Sequence, residues 1–209
     1  MTTELPTSGE VERPITIGVL GTHSTGKTMF LTQLANQLRR RHIQVATLND
    51  LGEQAQRLGL PILFNHTWAS TQWFITRGIS QEIEAWPHAE VVLVDRAVPD
   101  ALGYYLAALE YRGEVADPVI LADLGSLVRR HSRHYDLLFR TTLNPVIPLG
   151  DNKVRDNDRE FRLLADRHVG RVLHDLSLPH DLLPADGHEH ALTRAMAFIT
   201  ARLAGQSAS

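Results

Sequence analysis

The chain has no cysteine. Disulfides, thiolate zinc sites, iron–sulfur clusters and a cysteine nucleophile are therefore excluded together. A cysteine-free chain fits a reducing compartment, and the cytoplasm is the expected location. No apolar run approaches the ~20 residues of a membrane span, so no membrane partner is expected. The opening residues carry Pro6, Gly9 and Pro14 and no apolar core, which does not read as a signal peptide. An excess of positive charge is missing too. Lys and Arg number 21 against 24 Asp and Glu, a formal charge of −3. Such a chain has no global field for nucleic-acid phosphates, and a DNA or RNA coat is excluded. Internal repeats and low-complexity tracts are also absent.

What remains has the balance of a folded globular domain, with 43% hydrophobic and 22% charged residues among 209. That length predicts one domain over 14–203, preceded by a polar arm at 1–13 and followed by a tail at 204–209. A monomer or homodimer is expected. The 11 histidines read as surface residues. The pairs His131/His134 and His188/His190 lack a third ligand and do not read as metal sites.

Short apolar, β-rich runs alternate with stretches of helical period. The predicted strands are Ile15–Leu20, Ile43–Leu48, Glu90–Asp95, Asp136–Thr141 and Asp181–Ala185. Predicted helices follow Lys27, then cover about 50–58, 66–86, 99–111, 118–134, 162–176 and 188–203. Strands alternating with helices imply a parallel α/β sheet covered on both faces.

The segment Gly21-Thr22-His23-Ser24-Thr25-Gly26-Lys27-Thr28 matches G-x-x-x-x-G-K-[ST] at each specified position, between a strand and a helix. Glycines let successive backbone N–H groups face phosphate oxygens, and the helix N-terminus adds partial positive charge. Lys27 is expected to reach the β- and γ-phosphates of ATP, and the Thr28 hydroxyl to sit on Mg²⁺. His23 contributes only its backbone.

Asp95 ends the strongest strand, which in a parallel sheet lies beside the first and opens on the same crevice. An acid there can hold Mg²⁺, and Arg96 can point at the transferred phosphoryl group. Asp100, in the next helical turn, serves either the acceptor or the helix dipole. Glu53 follows the second strand and is a candidate base for an attacking hydroxyl. Trp68, Gln72 and Trp73 share a helix near that side, where they either hold a planar ring or pack in the core. Arg155, Arg159 and Arg162 recur at helical spacing in a polar stretch, and a lid at about 145–162 could bring one of them onto the γ-phosphate.

GTHSTGKT, Glu53, VDRAVPDALGYY and KVRDNDREFR together resemble the small AAA-type P-loop proteins related to the nicotinamide riboside kinase domain of the bacterial NAD regulator. More distantly they are similar to deoxynucleoside and nucleoside monophosphate kinases. The resemblance spans about 15–202. It implies a three-layer P-loop fold with a five-stranded parallel sheet in the order 2-3-1-4-5 and a helical lid. It implies ATP phosphates on Gly21 to Thr28, magnesium and phosphoryl duties for Asp95 and Arg96, an acceptor-side acid at Glu53 and a lid arginine at Arg155. The chain departs from its relatives at Gln56, where they often carry Arg, and in the last helix, where Arg194 comes late. The implied activity is ATP- and Mg²⁺-dependent phosphorylation of a hydroxyl on a small nucleoside-like or sugar-like acceptor. The alternative is an ATP-hydrolysing switch acting on a protein partner. Asn152-Lys153 is followed by Val154-Arg155, without the Asp of a guanine-reading element.

Overall fold

The computed structural model describes residues 11–22, 25–143, 159–184 and 188–206. Five parallel strands run β1 (Ile15–Leu20), β2 (Val45–Leu48), β3 (Val91–Asp95), β4 (Leu137–Thr141) and β5 (Asp181–Leu183). Their spatial order is β2-β3-β1-β4-β5, as the sequence implies. The helices are α1 (Lys27–Arg40), α2 (Gly52–Arg57), α3 (Trp68–Ala85), α4 (Pro99–Tyr111), α5 (Pro118–His131), α6 (Arg159–Asp175) and α7 (His188–Gln206).

Every residue of β1 and β3 is buried, because helices cover the sheet on both faces. On one face, Phe30, Leu34 and Leu38 of α1 meet Ala195 and Ile199 of α7 over Ile17, Val19 and Phe139. On the other, α4 and α6 pack so closely that a Cβ on Gly103 would lie 2.6 Å from a methyl of Val169. Phe161, Ala165 and Tyr104 fill that layer, and α3 and α5 extend it around Ile75, Val98 and Val128.

Several boundaries differ from expectation for local reasons. Strand β2 starts two residues late because the Ile43 N–H turns back to the Leu38 carbonyl and closes α1. The helix expected to reach 134 ends at His131, where the Ser132 hydroxyl bonds the Val128 carbonyl. α7 runs through Gln206, into the expected tail. Arg13, expected in the arm, is tied down by a bidentate pair with Asp136 at 2.7 and 3.1 Å. The expected lid lies largely outside the described residues, and its last part, from Arg159, is already α6.

The histidines correct the surface expectation. His66, His131, His168 and His188 are buried. His131 Nε2 is 2.8 Å from Glu82 Oε2, His168 meets Glu110, and His66 stacks on Phe74 with ring centroids 5.2 Å apart. His188 packs edge-on to Phe30. Partners, which composition cannot reveal, decide where a histidine goes. Among the described residues no group of three or more His, Asp or Glu could hold a metal ion by itself. No described helix is long and apolar enough to cross a membrane.

Candidate active site

Strand β1 delivers the chain to Gly21 at the carboxyl end of the sheet, and α1 begins six residues later at Lys27. Gly21 and Gly26 both have positive φ, +128° and +87°, a backbone that side chains resist. At Gly21 a Cβ would also strike the hydroxyl of Thr141 and come within 2.7 Å of its carbonyl. The turn is therefore built for glycine twice over. His23 and Ser24 lie outside the described residues.

The Lys27 ammonium lies inside the loop. It donates to the Gly21 carbonyl at 2.9 Å and to the Thr22 carbonyl, and lies 3.4 Å from Thr25 Oγ1. Burial pulls its pKa down to about 8; the Arg96 charge adds to the fall, and three carboxylates oppose it. A buried ammonium held by neutral oxygens is poised for an anion. Thr25 is braced against Thr141, with their hydroxyls 2.7 Å apart.

Thr28 and Asp95 meet as expected. The Thr28 hydroxyl donates to Asp95 Oδ2 at 2.6 Å, joining the start of α1 to the end of β3. One hydroxyl and one carboxylate are hard oxygen donors of the kind Mg²⁺ takes together with phosphate and water. The pair fits that ion.

Arg96, next in the chain, adopts the left-handed region with φ +70°. This turn is pinned from behind. The Ala97 N–H bonds the Val19 carbonyl, and the Val98 N–H bonds the Tyr135 hydroxyl at 2.9 Å. That hydroxyl in turn donates to Glu82 at 2.7 Å. The guanidinium emerges between two acids, donating to Asp50 at 2.9 Å and Asp100 at 2.5 Å, and lies 5.0 Å from the Tyr104 ring centroid. Asp100, with a side chain 3% exposed, also accepts the Gly21 N–H at 2.8 Å. To the two roles left open for it these contacts add a third, a brace between the phosphate loop and Arg96.

A pocket opens beside this cluster. Asp50, Asp95, Arg96 and Asp100 form its polar end; His66, Phe74 and Tyr104 form an aromatic wall. Burial drives the His66 pKa down to about 3, helped by the Arg96 and Arg112 charges, so its ring is neutral.

Three expected residues are placed elsewhere. Glu53 is on the outer side of α2, 73% exposed and 3.8 Å from Arg57, because α2 turns Gly52 and Ala55 inward. Asp50, just before α2, is the carboxylate on the pocket wall. Gln72 is exposed and Trp68 is 50% exposed. The pocket face of α3 carries Phe74, Gly78 and Gln81, at spacings of four and three, which turns Gln72 away. Trp73 packs edge-on against Phe74 instead. Arg155 lies outside the described residues, and Arg159 is exposed at the start of α6. Arg162 is partly buried, which lowers its pKa against the influence of the Tyr104 hydroxyl.

The residues missed by sequence reasoning are Asp50, His66, Phe74, Gln81 and Tyr104. Asp50 had one available signal, an acid two residues after a strand that points into the same crevice.

A family model for the AAA domain matches residues 16–190. No curated protein matches the chain in sequence. Solved structures with the same fold include the NadR protein in complex with NR, at 16% identity and TM-score 0.57. That match covers 86% of this chain and 49% of the other, so this chain spans about half the length of NadR. Thymidylate kinase from Ehrlichia chaffeensis matches at 14% identity and TM-score 0.58, over 90% of this chain and 100% of that one. Deoxyadenosine kinase from M. mycoides with bound dATP matches at 11% and 0.56, over 89% and 100%. With the phosphate loop, the Thr28–Asp95 pair and this shared fold in place, the chain belongs to the AAA domain family, on the P-loop fold of the nucleoside and nucleotide kinases.

Proposed function

We propose that the protein transfers the γ-phosphoryl group of ATP to a hydroxyl of a small acceptor held in the pocket. The observation that carries this reading is the shared crevice. Lys27, Thr28 and Asp95 face one end of it, and Arg96 and Asp50 face the pocket that adjoins it.

Gly21 to Thr28 hold the donor phosphates. Thr28 and Asp95 would hold Mg²⁺, which when bound supplies positive charge against the phosphate oxygens. Lys27 exchanges its bonds to the loop carbonyls for bonds to phosphate. Asp50 accepts the proton of the acceptor hydroxyl. The new O–P bond forms as the bridging bond to the β-phosphate breaks, and ADP leaves with the electron pair. Arg96 and Lys27 neutralise the charge that spreads over the transferred group, with Arg155 or Arg162 as the arginine from the lid side. The apolar walls keep water from competing for the phosphoryl group.

The test is ADP release with and without acceptor. Lys27→Ala should lower kcat about 100- to 1000-fold, the usual effect of removing one preorganised charge or donor. Asp50→Asn should lower kcat by about 100-fold, within the range for a lost general base, while Glu53→Gln changes it less than about 2-fold. The reverse ranking would return the base to Glu53. ADP release that no acceptor accelerates would favour the ATP-hydrolysing switch and overturn the kinase.

A further inference from the structure

Arg96 stands in a backbone that a side chain resists, φ +70°, and such a residue persists only where its surroundings hold it there. Part of that hold comes from outside the site. The Val98 N–H can only donate, so at 2.9 Å the Tyr135 oxygen accepts. The Tyr135 proton is thereby directed to Glu82 Oε1, 2.7 Å away. Burial, and then the Glu82 carboxyl, hold the Tyr135 pKa well above the usual tyrosine value, so that proton stays. Glu82 Oε2 is 2.8 Å from His131 Nε2, which fixes the carboxyl on its far side. The Tyr135 ring has its own seat. A Cβ on Gly18 would lie 3.2 Å from that ring and 2.8 Å from Ala97. The His131 ring stands edge-on to it, with centroids 5.8 Å apart. Glu82 and His131 are 1% and 5% exposed, yet neither they nor Tyr135 line the pocket. Helix α3 joins the two regions: Gln81 lines the pocket, and Glu82 beside it holds Tyr135.

We propose that Tyr135 is a positioning residue for phosphoryl transfer, and that with Glu82 behind it the hydroxyl aims the Arg96 guanidinium from outside the site. The kinetic consequence rests on the kinase reading; the effect on Arg96 itself does not. Tyr135 fixes the Val98 N–H and so the turn, and the turn sends the guanidinium between Asp50 and Asp100. Without the hydroxyl, the N–H of a buried residue is left unpaired, and the turn is free to relax out of the left-handed region. A charge displaced by about 1 Å from the transferred group costs on the order of 100-fold in rate.

The experiment compares the full chain with Tyr135→Phe, which keeps the ring and removes the hydroxyl. The first readout is nuclear magnetic resonance of the Arg96 Nε–H, which donates to Asp50; its signal is identified by its loss in Arg96→Ala. Tyr135→Phe should shift or broaden that signal. Ile199→Ala, in the core on the other face of the sheet, is the merely destabilised control and should leave it in place. The second readout is acceptor-stimulated ADP release. Tyr135→Phe should lower kcat about 10- to 100-fold. The KM for ATP should stay within about 2-fold, because the phosphate loop is untouched. In the Arg96→Ala background the same substitution should change kcat less than about 2-fold, since no guanidinium remains to be aimed. Glu82→Gln retains an acceptor for the hydroxyl and should stay within about 3-fold of the parent, whereas Glu82→Ala should fall with Tyr135→Phe. An unmoved Arg96 signal overturns the inference, and so does an equal loss of kcat with and without Arg96. Equal losses in the two Glu82 variants would remove Glu82 from it. ADP release that no acceptor accelerates in the parent chain removes the kinase reading instead, and the Arg96 signal then decides the positioning alone.

Discussion

The two ends of the crevice are made of different material. The phosphate-loop end is main chain: Gly21 and Gly26 in left-handed turns, the carbonyls of Gly21 and Thr22 around an ammonium, and the first turn of α1. The pocket end is side chain: Arg96 between Asp50 and Asp100, with an aromatic wall of His66, Phe74 and Tyr104. A main-chain site tolerates almost any side chain at its unconstrained positions but demands glycine where the turn needs it. A side-chain site inverts this, since its backbone is ordinary and each named residue matters.

Three measurements sharpen the contrast, beginning with the largest expected effect. Gly21→Ala attacks the main-chain end. The φ of +128° and the approach to the Thr141 carbonyl each resist a Cβ, and together they should cost about 4 kcal/mol. Urea denaturation should show the loss, and nucleotide binding should disappear with it. Asp100→Ala attacks the side-chain end. It strips Arg96 of its closest partner and leaves the Gly21 N–H unpaired in the interior, a loss of about 3 kcal/mol in the same assay. A loss under about 0.5 kcal/mol, the level of an exposed pair, would show that Arg96 repairs itself with Asp50.

The third measurement uses pH. Free Lys27 loses its proton near pH 8, whereas phosphate favours the charged form. Below that pH nucleotide affinity should be level. Above it binding must take up a proton, and affinity should fall by up to about tenfold per pH unit. The unliganded fold responds in the opposite sense. Its Lys27 pKa is depressed relative to the 10.5 of an unfolded lysine, so this group's contribution to stability rises as pH climbs from about 8 to 10.5. Titration calorimetry and urea denaturation across that range should diverge. Parallel curves would mean that Lys27 does not titrate there. The Lys27→Met variant should flatten both.

The same contrast explains what could be read from the sequence. The donor loop is contiguous, so its spacing alone located it, and α4 was predicted over the residues it occupies. The pocket is assembled from the turn after β2, the turn before α3, two faces of helices and the turn after β3. Asp50 and Glu53 differ by three residues, and only the packing of Ala55 decides which one faces inward. Gln72 and Gln81 are equivalent as letters, and α3 distinguishes them only once Ile75 is buried against its neighbours. Periodicity finds an apolar face; it does not say which polar residue on the rim of that face meets a cavity.

Asp100 touches both ends, one oxygen on the Gly21 N–H and the other on Arg96. On the proposed function, a carboxylate shared in this way gives the two ligands a route by which each can affect the other. If a nucleotide that reshapes the loop changes the acceptor's dissociation constant by some factor, the acceptor changes the nucleotide's by the same factor. On that function, any synergy that runs through this bridge is therefore equal in both directions and set by a single buried side chain.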